Sequence, residues 1–170
     1  MLLKMMEELI EFEDLMIEHK TKVMDIFNYY IENSYAAYPE KRLPDDFYIR
    51  IMDMTKGYPA FVIKANGIII GFCFVRAYNP FPAFNETVEI SYFIDKGYSG
   101  KGIGKLALNK LEEESKKKGI KTILASITSL NPNSIKFHQK NGFKECGRFR
   151  EVGKKFGKVF DIIWMEKKIN

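Results

Sequence analysis

Three glycines at alternate positions, Gly100, Gly102 and Gly104, fall between a strand-like run and the start of a helical stripe. Bare backbone at such a turn lets several N–H groups approach one ligand, and the dipole of the following helix favours negative charge. The chemistry this invites is the binding of a phosphate or pyrophosphate. The spacing is not that of the commonest users of the device. No stretch gives two glycines separated by four residues with Lys and Ser or Thr following, and positions 100, 102 and 104 do not fit G-x-G-x-x-G. The bland alternative is a glycine connection needed only for close packing of strand on helix.

Two titratable side chains add to this. Glu89 lies in the apolar run TVEISYFI (Thr87–Ile94), where alternation puts it on one face with Thr87 and Ser91 rather than with Val88 and Ile90. A carboxylate so placed either faces solvent or serves as a general base, and the residue pattern leaves both open. His138, in a short helical stretch, either packs or handles a proton.

The elements that must position these groups follow from periodicity and punctuation. Apolar residues at helical spacing predict a short amphipathic helix over Met1–Phe12, a helix over Lys20–Glu32 and another starting at Pro44, where Pro followed by two aspartates suits a helix N-terminus. Ala60–Lys64, Asn66-Gly67 and Ile68–Val75 read as strand, type I′ turn and strand. Tyr78–Asn85 (YNPFPAFN) is expected to be a shaped loop, since its two prolines prevent regular structure and its aromatics are rarely left wholly exposed. After strand Thr87–Ile94 and the glycine turn, an apolar stripe from Ile103 runs to Gly119, which can cap the helix in the left-handed conformation. Strand Lys121–Ile127, helix Asn131–Asn141, and strands Phe143–Arg148 and Val159–Met165, separated by a polar segment over Glu151–Lys158, complete the chain. There is no internal repeat, low-complexity tract or linker.

Composition narrows the class. The chain has 170 residues, 46% hydrophobic, 14% aromatic and 29% charged, an ordinary globular balance for one domain. Cys73 and Cys146 lie far apart and offer neither a disulfide framework nor paired metal-ligand spacing, and with only two histidines no metal is expected. Met1–Glu13 carries Lys4 and four acidic residues, which interrupts any signal-peptide core, and no stretch is long enough to span a bilayer. A cytoplasmic protein with no membrane partner is expected. The net charge of +5, from 27 basic and 22 acidic residues, is scattered rather than gathered in one stripe, and no RNP-like or helix-turn-helix pattern is present. Nucleic acid is not an expected partner.

The segment Ser99–Gly104, SGKGIG, resembles the turn of the GNAT acetyltransferase superfamily that cradles the pyrophosphate of coenzyme A, with Ser99 where the family usually has Gln or Arg. Asn131, Ser134, His138 and Gly142-Phe143 resemble a second, correctly ordered segment of that family. Thr87-Val88-Glu89 and VGKKFGKVFDIIWM (Val152–Met165) look like the phosphinothricin N-acetyltransferase branch, with Val159 at a usual Trp. The resemblance runs from about Met16 to the end. It implies an α/β (α+β) single-domain GNAT acyltransferase fold over 15–170, a mixed, mostly antiparallel sheet flanked by helices, with 1–14 as an N-terminal extension.

It also implies roles. Acetyl-CoA would be the co-substrate. Ser99, Gly100, Lys101, Gly102, Ile103 and Gly104 would hold its pyrophosphate; the backbone of Tyr92, Phe93 and Ile94, together with Asn131 and Ser134, would hold the pantetheine arm. Glu89 would be the base acting on the acceptor ammonium and His138 the acid for the departing thiolate. Tyr78, Asn79 and Phe81, in the loop before the Glu89 strand, are expected to line the amine pocket with Val88. Arg76 or Arg148 is available to an acidic substrate in place of an arginine that this branch often carries in that loop. The expected reaction is acetylation of a small-molecule amine, an amino acid or analogue of the phosphinothricin, methionine sulfone or sulfoximine type, by a possible homodimer. The alternatives are a peptide or protein N-acetyltransferase and a catalytically silent acyl-CoA-binding module.

Overall fold

The computed structural model describes residues 10–170. Seven strands form one sheet in the order β1-β2-β3-β4-β5-β7-β6. These are β1 (Ile10–Asp14), β2 (Ala60–Ala65), β3 (Ile68–Ala77), β4 (Thr87–Ile94), β5 (Thr122–Thr128), β6 (Lys144–Lys155) and β7 (Lys158–Lys168). The helices are α1 (Lys20–Asn33), α2 (Phe47–Thr55), α3 (Ile103–Lys117) and α4 (Pro132–Lys140). Every strand pair is antiparallel except β4 with β5. The expected architecture is the one observed. Among the described residues no helix is long and apolar enough to cross a membrane.

Alternation along the strands builds two apolar layers. Val88 and Ile90 of β4, with Ile123, Ala125 and Ile127 of β5, pack on Ile103, Ala107, Leu108 and Leu111 of α3. On the opposite face Val62, Phe72 and Phe74 meet Val23, Met24 and Ile26 of α1 and Tyr48 and Ile51 of α2. Asn66 and Gly67 both take positive φ, 50° and 77°, as the tight β2–β3 turn demands.

Four expectations need correction. Residues 1–9 of the expected first helix lie outside the described residues, and Ile10–Asp14 is a strand paired with β2. Ile10 and Phe12 alternate with Glu11 and Glu13 and pack against the core, Phe12 edge-on to Phe61, so a period of two wins over helical spacing. The second helix begins at Phe47, because Pro44 is spent on a turn whose carbonyl accepts the Phe47 N–H at 2.9 Å. The aromatics of the Tyr78–Asn85 loop are exposed, Phe81 most of all at 67%. Most of Glu151–Lys158 is strand: Glu151 at φ 52° accompanies a register shift between Phe149 and Gly153, and Phe156-Gly157 makes the β6–β7 turn.

Candidate active site

The site grows from the one parallel pair in the sheet. Pairing of β4 with β5 covers only Thr87–Glu89 and Thr122–Leu124, after which no ladder joins the two strands. The opening between them forms a cavity of about 460 Å³, walled by Ile90–Ile94 on one side and Ala125–Thr128 on the other. The glycine turn lies along it. Gly100 and Gly102 sit at φ 74° and 84°, and a Cβ at either would meet nothing within 4 Å, so both backbones face open space. Since α3 starts at Ile103, its first amides have no acceptor within the helix. An anion in this cradle would take those N–H groups and the positive end of the helix dipole.

A second cavity, about 340 Å³, adjoins the first. Ala36, Tyr38, Ile90, Ser91, Phe93 and Ser126 line both. Its remaining wall is mainly apolar, built from side chains such as Phe27, Phe47, Phe72 and Phe74, and it holds two charged groups, Arg76 and Glu89. These face each other across β3 and β4, and Arg76 Nη2 donates to Glu89 Oε2 at 3.0 Å. The Glu89 side chain is only 16% exposed, so this carboxylate is a cavity group rather than a solvent-facing one.

A hydrogen-bonded pair, Tyr92 and His138, lies in the wall of the larger cavity. His138 is buried at 3% exposure, and its Nδ1 is 2.7 Å from the Ser134 carbonyl oxygen. A carbonyl cannot donate, so Nδ1 carries the ring proton and Nε2 accepts from the Tyr92 hydroxyl. Burial pushes the His138 pKa down and the Tyr92 phenol well up, so the imidazole is held neutral and the phenol protonated. A donor role for His138 toward the cavity does not fit this tautomer. Both residues line the larger cavity, and this tautomer leaves the Tyr92 hydroxyl, rather than the imidazole, as the group able to turn a proton toward it.

The sequence profile of the Acetyltransferase (GNAT) family matches residues 23–143. The chain belongs to that family. It is 27% identical over 150 residues to the L-methionine sulfoximine/L-methionine sulfone acetyltransferase of Salmonella typhimurium, covering 87% of this chain and 88% of the relative. It is 28% identical over 150 residues to an L-amino acid N-acyltransferase of Escherichia coli, covering 87% of each. A phosphinothricin acetyltransferase of the GNAT superfamily from Sinorhizobium meliloti, solved in complex with AcCoA, superposes with a TM-score of 0.88 at 26% identity, covering 95% of this chain and 89% of that one.

Against the GNAT expectation, Tyr92, Phe93, Ile94, Ser99, Gly100, Gly102, Ile103, Gly104, Asn131, Ser134 and His138 all line the larger cavity. Details differ. The Ile94 carbonyl already accepts from the Tyr30 hydroxyl, and Asn131 Oδ1 caps α4 by accepting the Ser134 N–H at 3.3 Å. Lys101 is exposed outside the cavity wall, its Nζ 5.2 Å from the Tyr98 ring centroid. The expected acceptor residues are not brought together with the others: Tyr78, Asn79 and Phe81 line neither cavity, and Asn79 Oδ1 is used locally on the Phe81 N–H at 3.0 Å. Val88 is fully buried in the core under α3, as strand alternation requires of a neighbour of Glu89. Of the two available arginines, Arg76 reaches the site, while Arg148 bonds Asp161 at 3.0 Å.

Sequence reasoning missed Tyr38, Ser126 and the pairing of Arg76 with Glu89. The last was recoverable from the β3–β4 register had the intervening loop length been known; Tyr38 lies in an irregular segment that carries no periodic signal.

Proposed function

We propose that the chain transfers an acetyl group from acetyl-CoA to the α-amine of a free amino acid or a close analogue. The observation that carries this reading is the pair of adjoining cavities, one along a glycine cradle and one lined by phenylalanines around the Arg76–Glu89 pair. Acetyl-CoA, when bound, supplies an electrophilic thioester. The chain's residues do the rest. The amides at Gly100–Gly104 hold negative charge, and the free edge of β4 beyond Glu89 offers backbone groups to an extended arm.

In the smaller cavity a zwitterionic acceptor exchanges partners with the ion pair, its carboxylate going to Arg76 and its ammonium to Glu89. Glu89 takes the proton that blocks attack, since an ammonium has no lone pair. The apolar wall suits an uncharged side chain of about methionine's size, in keeping with the acceptors named for the relatives. The leaving sulfur needs a proton, and the Tyr92 hydroxyl is assigned to give it: its one O–H would turn from His138 Nε2 toward the sulfur, and the oxygen would regain a proton from the nitrogen as the amide forms. Joining two bound reactants in adjacent cavities provides much of the acceleration by proximity.

We place the enzyme in the cytoplasm, in keeping with two cysteines that are both free. A homodimer is supported by the exposed apolar residues Phe149 and Val152 on the edge strand β6. The test of the function is thiol release from acetyl-CoA across a panel of methionine sulfone, methionine sulfoximine, phosphinothricin, lysine and short peptides. Release that depends on a free amino acid is expected; release with peptides alone refutes the reading.

A further inference from the structure

Lys155, in the VGKKFG stretch, lines neither of these two cavities. It ends β6 and is 1% exposed, yet its Nζ reaches no carboxylate among the described residues within ion-pair distance. Instead it donates to three backbone carbonyls, Ile31 O at 2.6 Å, Ser34 O at 2.7 Å and Ala37 O at 2.6 Å. The ring of the neighbouring Phe156 lies 4.8 Å away by its centroid.

A buried ammonium is costly unless its hydrogen-bonding capacity is met, and here three N–H donors meet three acceptors. The acceptors are not incidental. Ile31 belongs to the last turn of α1 and Ser34 caps it, so both offer carbonyls that a helix C-terminus leaves unsatisfied and that carry its partial negative charge. Ala37 belongs to the irregular segment that follows. The chain has built an ammonium-ion site and filled it with its own side chain.

That segment forms part of the wall shared by the two cavities. Ala36 and Tyr38 line both cavities, and Ala37 lines the smaller one. Tyr38 stacks on Phe160 of the same hairpin, with centroids 5.9 Å apart and planes 14° apart. The hairpin therefore holds the wall from two sides, by charge at Lys155 and by stacking at Phe160.

We infer that Lys155 is a positioning residue for the acceptor, a tethered ammonium ion that pins the Ser34–Tyr38 segment against the cavity holding Glu89. This rests on the acceptor reading above for its kinetic consequence, though not for its structural one.

Lys155→Met keeps the length and the apolar stem and removes the donors. Losing charge-assisted hydrogen bonds to buried carbonyls raises the acceptor KM roughly tenfold or more, with acetyl-CoA affinity unchanged. Amide hydrogen exchange over residues 34–40 quickens by the same factor, and that over 99–104 does not. In Lys155→Ala, n-propylammonium supplies the deleted atoms and slows exchange again, measured without acetyl-CoA so that the added amine is not acetylated; n-propanol, similar in shape but uncharged, does not. A chain that transfers no acetyl group still reports through exchange, which separates failure of this inference from failure of the proposed function. Parental exchange rates in Lys155→Met, or equal rescue by n-propanol, overturn it, because the lysine would then merely fill space. Should neither variant fold, the ζ-ammonium resonance of Lys155 in the parent decides: protons protected from solvent at neutral pH support the site, and rapid exchange overturns it.

Discussion

Gly102 separates backbone strain from ligand occupancy in a single position. It sits at φ 84° and ψ 0°, in the left-handed region, and an added Cβ meets nothing within 4 Å. Gly102→Ala therefore costs only the backbone preference, about 1–2 kcal/mol, or about 2–4 °C of Tm for each kcal/mol in a chain of this size. Gly102→Glu costs about the same without ligand, since its side chain also enters open space. With acetyl-CoA at a hundred times Kd the parent gains about 2.7 kcal/mol, a rise of roughly 5–10 °C. In Gly102→Glu a carboxylate occupies the cradle, and two like charges about 4 Å apart near a protein surface repel by about 4 kcal/mol, enough to remove the whole gain. Differential scanning calorimetry of parent, Ala and Glu variants with and without acetyl-CoA reads all of these quantities. A Glu variant that folds and keeps the full ligand-induced rise would place the pyrophosphate elsewhere and refute the reasoning.

Gly153→Ala should raise the acceptor KM, since a Cβ there would lie 2.2 Å from the Phe160 ring, and Phe160 supports Tyr38; steady-state kinetics with varied acceptor checks it. Ser115→Ala should leave stability unchanged or raise it by up to about 1 kcal/mol in urea titration, because Ser115 Oγ is buried without a hydrogen-bond partner among the described residues. The parent's Tm should fall as pH drops below 6.5. His138 has a pKa lowered by burial, so the unfolded chain binds its proton first, and the stability present above 6.5 is lost as pH falls toward the folded pKa. Calorimetry of His138→Gln should give a flatter dependence over that window, and an equally steep one would show that other groups carry it.

Much of the lining of the larger cavity was legible in the sequence because it rests on local signals. A glycine turn between strand and helix, and an Asn three residues before a Ser at a helix start, describe backbone conformations that any neighbour must accept. The smaller cavity rests on long-range pairing, which the sequence does not display. Arg76 and Glu89 meet through the β3–β4 register, and the segment of Tyr38 is contacted by Lys155 and Phe160, more than a hundred residues later. Proximity in sequence to the Glu89 strand drew attention to Tyr78, Asn79 and Phe81, but the connecting loop leaves them outside both cavities. His138 was found by motif, while the direction of its proton required the Ser134 carbonyl to be seen beside Nδ1.

The claim that Glu89 frees the amine for attack is tested most directly by the pH dependence of kcat/KM for Glu89→Gln against the parent. The proposed acceptor is an α-amine, and since even a chain-terminal α-amine has a pKa of about 7.7–8.0, most of it is protonated at pH 7 and unreactive without a base. Glutamine keeps the shape beside Arg76 and cannot take the proton. The variant should bind acetyl-CoA as the parent does, lose roughly a hundredfold or more in rate at neutral pH, and recover as pH climbs toward the amine's own pKa. Turnover equal to the parent's across the whole range would contradict the account and return Glu89 to the part of a salt-bridge partner for Arg76.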